Sequence, residues 1–197
     1  MPSEALRRAL TDPGEPPLRP LPDEVAALLD RLAAPPRLAA HLRAVHDVAV
    51  TLADWLEKRH PEVDFDREAT LFGAAVHDIG KTIHPGELSG PGSAHEQAGY
   101  ELLLSQGISE ERARFARTHA AWGEDVGVEN LLVSTADKVW KAKRVEDLEQ
   151  LLVDRLTVAS GQSSWEVFLA LDDILDRIAA DADGRLAFQA RHPASET

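Results

Sequence analysis

The sequence predicts an all-α protein, folded as a compact helical bundle. From Pro22 onward, apolar residues recur at the spacing of one helix face over nearly the whole chain. Helix-start signals, with Ser at the N-cap and Glu three residues later, precede two of these segments. Only short apolar stretches such as residues 131–134 have the character of a strand, so no sheet is expected.

The two ends of the chain differ from this pattern. Five of the 12 prolines lie between Pro13 and Pro22, and a segment this rich in proline is typical of extended, poorly packed chain. We therefore expect residues 1–21 to form an extended arm, residues 22–183 to form a single domain, and residues 184–197 to form a loose tail.

Proline, glycine and N-cap residues divide the domain into helices. Ser93 with Glu96 and Ser163 with Glu166 are read as capping boxes, and Ser109 as a further N-cap. The segment 146–158 either continues the preceding helix or starts another. The predicted helices cover residues 22–34, 36–58, 66–79, 93–105, 111–122, 129–144, 146–158 and 163–181.

Composition narrows the classes of function. The chain has 197 residues and a net charge of −13, from 21 Lys and Arg against 34 Asp and Glu, which argues against a protein that coats nucleic acid. With 8 His and no Cys, a thiolate zinc site is excluded, and imidazole and carboxylate groups are the available metal ligands. No apolar run reaches the length of a membrane span, and the N-terminus lacks the apolar core of a signal peptide. We expect a soluble, cytoplasmic protein.

The second predicted helix contains two histidines on different faces. At about 100° per residue, His41 shares a stripe with Val45 and Val48, whereas His46 lies about 140° away, beside charged residues. His41 is therefore expected to point inward and His46 outward. An inward histidine is either a hydrogen-bonded core residue or a ligand.

Further candidate ligands follow at helical positions. His77 and Asp78 end an otherwise apolar helix, where a buried carboxylate needs a partner. His95, His119 and Asp137 each share a face with apolar residues. Each candidate also has a simpler explanation. His77 and Asp78 would be a surface dipeptide before a glycine, and His95 would be a polar residue in the first turn of its helix. His119 would be a core histidine, and Asp137 would pair with a lysine one turn away. Five helices that each present an inward His or Asp favour a metal site inside a bundle.

The order of these residues resembles the HD-domain superfamily of metal-dependent phosphohydrolases over residues 37–150. The family's His-Asp doublet and its continuation stand here as HDIGK, residues 77–81, and AHEQAGYELL provides the His-x-x-x-Gly pattern through His95 and Gly99. THAAW provides His119, and STADKVWKAKR provides the closing Asp137. The opening histidine of the family pattern matches His41 rather than His46.

The resemblance implies a ligand set for two metal ions. His41, His77, Asp78 and Asp137 would bind the first ion, and His95 and His119 would bind the second, with Asp78 bridging the two. We expect iron, manganese or another first-row divalent metal, because nitrogen and oxygen ligands discriminate weakly among these.

The activity implied is hydrolysis of a phosphate ester or anhydride in a small molecule, most plausibly a nucleotide, with a metal-bridged hydroxide as the nucleophile. Lys81 and Arg144 are expected to assist Asp78 in catalysis by stabilising charge on the phosphoryl oxygens. Lys81, His84, Lys141 and Arg144 are the expected substrate-binding residues. His84 acts either as a general acid or as an ordinary loop residue.

Several alternatives stay open. Lys141 and Arg144 have a simpler role as partners of Glu146, Asp147 or Glu149, and this is the role expected for Lys138. A dinuclear iron oxygenase of the myo-inositol oxygenase type is similar in its ligands, and a non-catalytic nucleotide-binding module is a third reading. The expected partner is a small phosphorylated substrate, and the sequence makes no prediction of oligomeric state.

Overall fold

A computed structural model describes residues 3–195, and in this part of the chain all regular structure is helical. The predicted all-α fold is confirmed. Two 3₁₀ turns, Ile79–Thr82 and Pro85–Leu88, lie between the fourth and fifth helices. The α-helices are α1 (Glu4–Thr11), α2 (Asp23–Arg31), α3 (Pro36–Arg59), α4 (Arg67–Val76), α5 (Ala94–Ser105), α6 (Glu110–Thr118), α7 (Val128–Val139), α8 (Glu146–Ser160), α9 (Ser164–Ala180) and α10 (Ala182–Ala190).

The long helix α3 is the centre of the bundle. Helices α1, α4, α7, α9 and α10 all pack against it, and most residues of α3 are buried. Alanines such as Ala39, Ala44 and Ala49 are buried along its length and allow neighbouring helices to approach closely. Within residues 3–195, no helix combines the length and the apolar character that a bilayer span requires.

The N-terminal segment is not the extended, poorly packed arm that its prolines predict. Residues Glu4–Thr11 form α1, and Leu6 and Leu18 are buried in the main core. Arg43 of α3, itself buried, donates hydrogen bonds to the backbone carbonyls of Asp12, Leu18 and Arg19. A buried guanidinium thus satisfies carbonyl groups of a segment that forms no regular structure. Met1 and Pro2 lie outside the described residues.

The C-terminal segment is also packed, contrary to the expected loose tail. Residues Ala182–Ala190 form α10, in which Phe188 is buried in the core. Arg185 is buried as well and donates to the carbonyl oxygens of Trp140 and Ile178. The prediction failed because these contacts join positions distant in sequence. Glu196 and Thr197 lie outside the described residues.

The packed N-terminal segment changes the environment of His46. The sequence predicts an outward-facing His46, but the residue is only 5% exposed, and Arg19 pairs with the adjacent Asp47 at 2.7 Å on this face. Helical periodicity places His46 beside charged residues, and it cannot show that another segment covers them. Burial lowers the pKa of His46 to about 4, and the nearby Arg19 adds to this effect.

This burial predicts a loss of stability in mild acid. Folded His46 has a pKa below its ordinary value of 6.5, so the folded state binds fewer protons than the unfolded state between these values. The contribution of His46 to the free energy of unfolding is therefore complete above about pH 6.5. It is lost as the pH drops towards 4, and the loss from this group amounts to roughly 3 kcal/mol. Urea unfolding of the metal-free wild type and of His46→Leu at pH 7 and pH 4.5 measures the difference. Equal losses in both proteins would contradict the prediction.

Candidate metal centre

The six predicted ligands meet at one place inside the bundle. His41 comes from the second turn of α3, His95 from the first turn of α5, and Asp137 from α7. His77 and Asp78 follow the end of α4, and His119 follows the end of α6. All six side chains are buried. Since the polar groups of five separate segments converge in an apolar interior, a bound cation would offset part of the cost of burying them.

Glycine allows the His-Asp segment to reach α5. A Cβ added to Gly80 would lie 1.9 Å from the carbonyl oxygen of His95 and 2.6 Å from the amide nitrogen of Gly99. The 3₁₀ turn after Asp78 therefore lies directly on the backbone of α5, at a distance that excludes any side chain. This contact brings Asp78 beside His95.

Asp78 lies between two pairs of imidazoles. Its Oδ1 is 2.9 Å from Nε2 of His95 and 3.4 Å from Nε2 of His119. Its Oδ2 is 3.1 Å from Nε2 of His41 and 3.6 Å from Nε2 of His77. Each carboxylate oxygen thus faces two nitrogen ligands, which is the arrangement expected of a carboxylate that bridges two metal ions.

Asp137 completes one side of the cluster. Its Oδ1 lies 3.3 Å from Nε2 of His77 and 3.9 Å from Nε2 of His41. Two overlapping groups have ligand atoms within 4.8 Å of one another: His41, His77 and Asp137, and His77, Asp78 and His119. His77 belongs to both groups, whereas the family resemblance assigns it to the first metal alone.

Two of the imidazoles are oriented by hydrogen bonds between their outer nitrogens and backbone carbonyl groups. Nδ1 of His77 lies 2.9 Å from the carbonyl oxygen of Ala74, and Nδ1 of His119 lies 3.1 Å from that of Ala116. Because a carbonyl oxygen only accepts, Nδ1 carries the proton in both residues. In the neutral tautomer the Nε2 lone pairs point into the cluster, as metal ligation requires.

The geometry of His95 provides a test of fit for a cation. Its Nε2 is buried and 2.9 Å from a carboxylate oxygen of Asp78, yet the angles are unsuitable for a hydrogen bond, so the nitrogen has no partner. An unpartnered buried nitrogen is costly. A divalent ion among His95, His119 and Asp78 would satisfy this atom, so the residues present fit the metal that the fold implies.

The cluster also favours ionised carboxylates. Burial alone would raise the pKa of Asp78, but the neighbouring imidazoles, His77 foremost, hold it well below its usual range. Burial likewise opposes ionisation of Asp137, and His77 again outweighs it and lowers the pKa. Both groups are therefore carboxylates near neutral pH, the form that binds a metal ion.

The structure adds one residue that sequence reasoning missed. Oε2 of Glu87, in the second 3₁₀ turn, lies 2.5 Å from Nδ1 of His95, and the same carboxylate accepts from the backbone N–H groups of Ala94 and His95. Glu87 therefore orients His95 and caps α5. The predicted capping box of Ser93 and Glu96 is wrong, because the Ser93 side chain makes no capping bond. The only sequence signal was an acidic residue in the turn-rich loop.

We expect Glu87→Gln to weaken metal binding at His95 without unfolding the protein. Loss of a carboxylate behind a ligating histidine typically costs about 10–100-fold in metal affinity or activity. Metal titration of the purified variant, followed by calorimetry, measures this effect. The control is Glu96→Gln, which makes the same chemical change in the first turn of α5, next to His95 in sequence. The prediction is contradicted if the Glu87→Gln protein binds metal as tightly as the control protein does.

Two lysines contact the carboxylate ligands. Lys81 donates to Oδ2 of Asp78 at 2.5 Å, and Lys138 donates to Oδ2 of Asp137 at 2.6 Å. Lys138 also lies 5.8 Å from the ring centre of Trp122. The expectation that Lys138 pairs with Glu146, Asp147 or Glu149 is wrong: it lies at the cluster.

The remaining predicted substrate residues lie elsewhere or lack contacts with the ligands. Arg144 donates to the carboxylates of Glu149, Asp172 and Asp176, so its guanidinium links α8 and α9 and the structure does not support its expected catalytic and substrate-binding roles. Lys141 is exposed, with Nζ 5.8 Å from the ring centre of Trp140. His84 is partly buried and begins the second 3₁₀ turn.

Comparison with known proteins gives one match. The family model described as HD domain matches residues 38–155, which is more than half of the chain and includes all six clustered His and Asp residues. Curated proteins yield no match, and neither do solved structures.

Proposed function

We propose, from the premise that this chain belongs to the HD domain family, that its cluster binds two divalent metal ions and hydrolyses a phosphate ester or anhydride. HD domains form a superfamily of metal-dependent phosphohydrolases. The His and Asp groups of this chain could hold a metal ion. The substrate we propose is a small phosphorylated molecule, specifically a nucleotide.

The observation that carries the proposal is the position of Asp78. Its two oxygens face different histidines, His95 and His119 on one side and His41 and His77 on the other. A pair of divalent ions held there would lower the pKa of a bound water and neutralise charge on the phosphoryl oxygens. The chain's own contribution is to fix the ligands rigidly and to keep bulk water out of a buried site.

Lys81 and Lys138 support phosphate as the substrate group. Their ammonium groups bond to oxygens of Asp78 and Asp137, on the carboxylates that the metal ions would take. Once those oxygens ligate metal, each ammonium is available to donate to a phosphoryl oxygen. Fixed cations at this position stabilise the negative charge that develops during displacement at phosphorus.

The same two lysines support hydrolysis over the alternatives. An oxygenase of the myo-inositol oxygenase type shares the ligand set but has no general need for ammonium groups at a phosphate position. A non-catalytic nucleotide-binding module needs no set of six oriented ligands. The acidic net charge of −13 disfavours long nucleic acids as substrates, whereas a small phosphorylated molecule would meet the local cations.

The test uses full-length protein loaded with manganese or iron. Phosphate release is measured against a panel of nucleotides and phosphate esters, in air and under anaerobic conditions, with a sample kept in excess chelator as the control. We expect release that requires metal and proceeds equally without O₂. Turnover that strictly consumes O₂ would favour the oxygenase, and absence of turnover in the metal-loaded protein would favour the non-catalytic module.

A further inference from the structure

A second site lies away from the metal centre, in a cleft between α3, α9 and the N-terminal segment. The cleft has a volume of about 490 Å³. Its lining includes Ile174 of α9 and Trp55 near the end of α3. Trp55 follows His41 by fourteen residues on one helix, which corresponds to about 21 Å along the axis. A ligand in the cleft therefore does not reach the metal ligands.

Four cationic residues and two acidic residues line this cleft, in a protein whose net charge is −13. Of the acidic pair, Asp54 is already compensated, because Arg67 outside the cleft donates to its Oδ1 at 2.7 Å. Arg19 is held in place by Asp47. Within residues 3–195, the side chains of Lys58, Arg59 and Arg177 form no salt bridge, and Nε of Arg177 donates to the backbone carbonyl of Asp173. The carboxylate of Asp173 forms no salt bridge in this range either, so three unpaired cations face one unpaired carboxylate in the cleft.

The charge at the end of α3 has a partial explanation in the helix dipole, since cations stabilise helix C-termini. That effect accounts for the positions of Lys58 and Arg59 in the last turn. Arg177 likewise lies in the last turn of its own helix, α9, so the dipole explains each cation singly. It does not explain why two helices bring these cations to one cleft, or why Trp55 lines it. The ring of Trp55 is held in an edge-on contact with buried His60, with ring centres 5.4 Å apart.

We propose that this cleft binds a nucleotide independently of the metal centre. Lys58, Arg59 and Arg177 provide charge-assisted donors for the phosphates, and Trp55 provides an apolar aromatic surface for the base. The volume is within the range of small-molecule sites. The proposal does not depend on the activity of the metal centre.

The experiment measures binding of ATP, tripolyphosphate and adenosine to the full-length protein by calorimetry in excess chelator, so that the metal centre is empty of metal. We expect ATP to bind more tightly than either fragment. The double variant Lys58→Ala/Arg177→Ala should weaken ATP binding by about tenfold or more, the equivalent of one charge-assisted bond. Trp55→Phe should weaken binding of ATP and leave that of tripolyphosphate unchanged.

The matched control is Arg31→Ala/Lys143→Ala, which removes the same charge from two exposed residues outside the cleft. It should change ATP affinity by less than about twofold. Absence of ATP binding, or wild-type affinity in Lys58→Ala/Arg177→Ala, overturns the site. Equal weakening by the control overturns it in favour of a general charge effect. The proposed contact between Trp55 and the base is overturned if tripolyphosphate binds as tightly as ATP and Trp55→Phe changes the affinity of neither probe.

Discussion

Asp78→Ala should abolish both metal binding and phosphate release. Both oxygens of this carboxylate face imidazoles, at 2.9 and 3.4 Å on one side and 3.1 and 3.6 Å on the other, so one substitution would remove a ligand from both of the proposed metal positions. The loss of turnover should exceed the roughly 10–100-fold typical of an outer-shell partner. Metal content after purification and phosphate release with added metal are the two measurements.

The control for this experiment is Asp64→Ala, an exposed aspartate outside the cluster. It should retain wild-type metal content and turnover. Circular dichroism and thermal unfolding of both variants in chelator establish that they fold, so that a loss at Asp78 is not attributed to an unfolded chain. An Asp78→Ala protein that folds, keeps its metal and releases phosphate at the wild-type rate would remove the basis of the proposed function.

Gly80→Ala should strongly destabilise the fold and displace the ligands on either side of it. A Cβ at this position would lie 1.9 Å from the carbonyl oxygen of His95, and because the obstructing atom is backbone, no side-chain rotation relieves the clash. We expect a loss of about 3 kcal/mol or more in the free energy of unfolding. Since the turn and α5 must separate, Asp78 should also move away from His95 and metal affinity should fall.

Gly86→Ala is the matched control, since a Cβ there meets no atom within 4 Å. Its free energy of unfolding should stay within about 0.5 kcal/mol of the wild type. Urea unfolding with and without metal separates the loss of fold from the loss of ligand geometry. The close contact of Gly80 would be disproved if the two alanine variants unfolded at the same urea concentration.

Local periodicity and capping predicted much of the framework correctly. The expected helix over 36–58 is observed as Pro36–Arg59, and the capping box of Ser163 and Glu166 is present at the start of α9. These features are readable because the hydrophobic spacing of a helix and the N-cap bond both depend on residues only a few positions apart. The same periodicity placed His41 on the inner face of α3, where its Nε2 lies 3.2 Å from Nε2 of His77.

Helix ends were less predictable where the chain changes direction. The helix expected to continue to residue 79 ends at Val76, and the one expected to reach residue 144 ends at Val139. In the first case the 3₁₀ turn that follows lies against the backbone of α5 at Gly80. Such contacts depend on the tertiary packing of another helix and leave no local signal.

The sequence by itself determined the helical class and the order of the six candidate ligands, since both are written in short-range spacing and residue type. The tertiary structure decided how those ligands face one another, and it added Glu87 and Lys138 while placing Arg144 in a separate ion-pair network. It also decided the burial of His46 and of Arg43, whose guanidinium donates to the carbonyl oxygen of Leu18 in the N-terminal segment. The physical reason is that burial and ion pairing depend on distances through space, and segments far apart in sequence set those distances only when the chain folds.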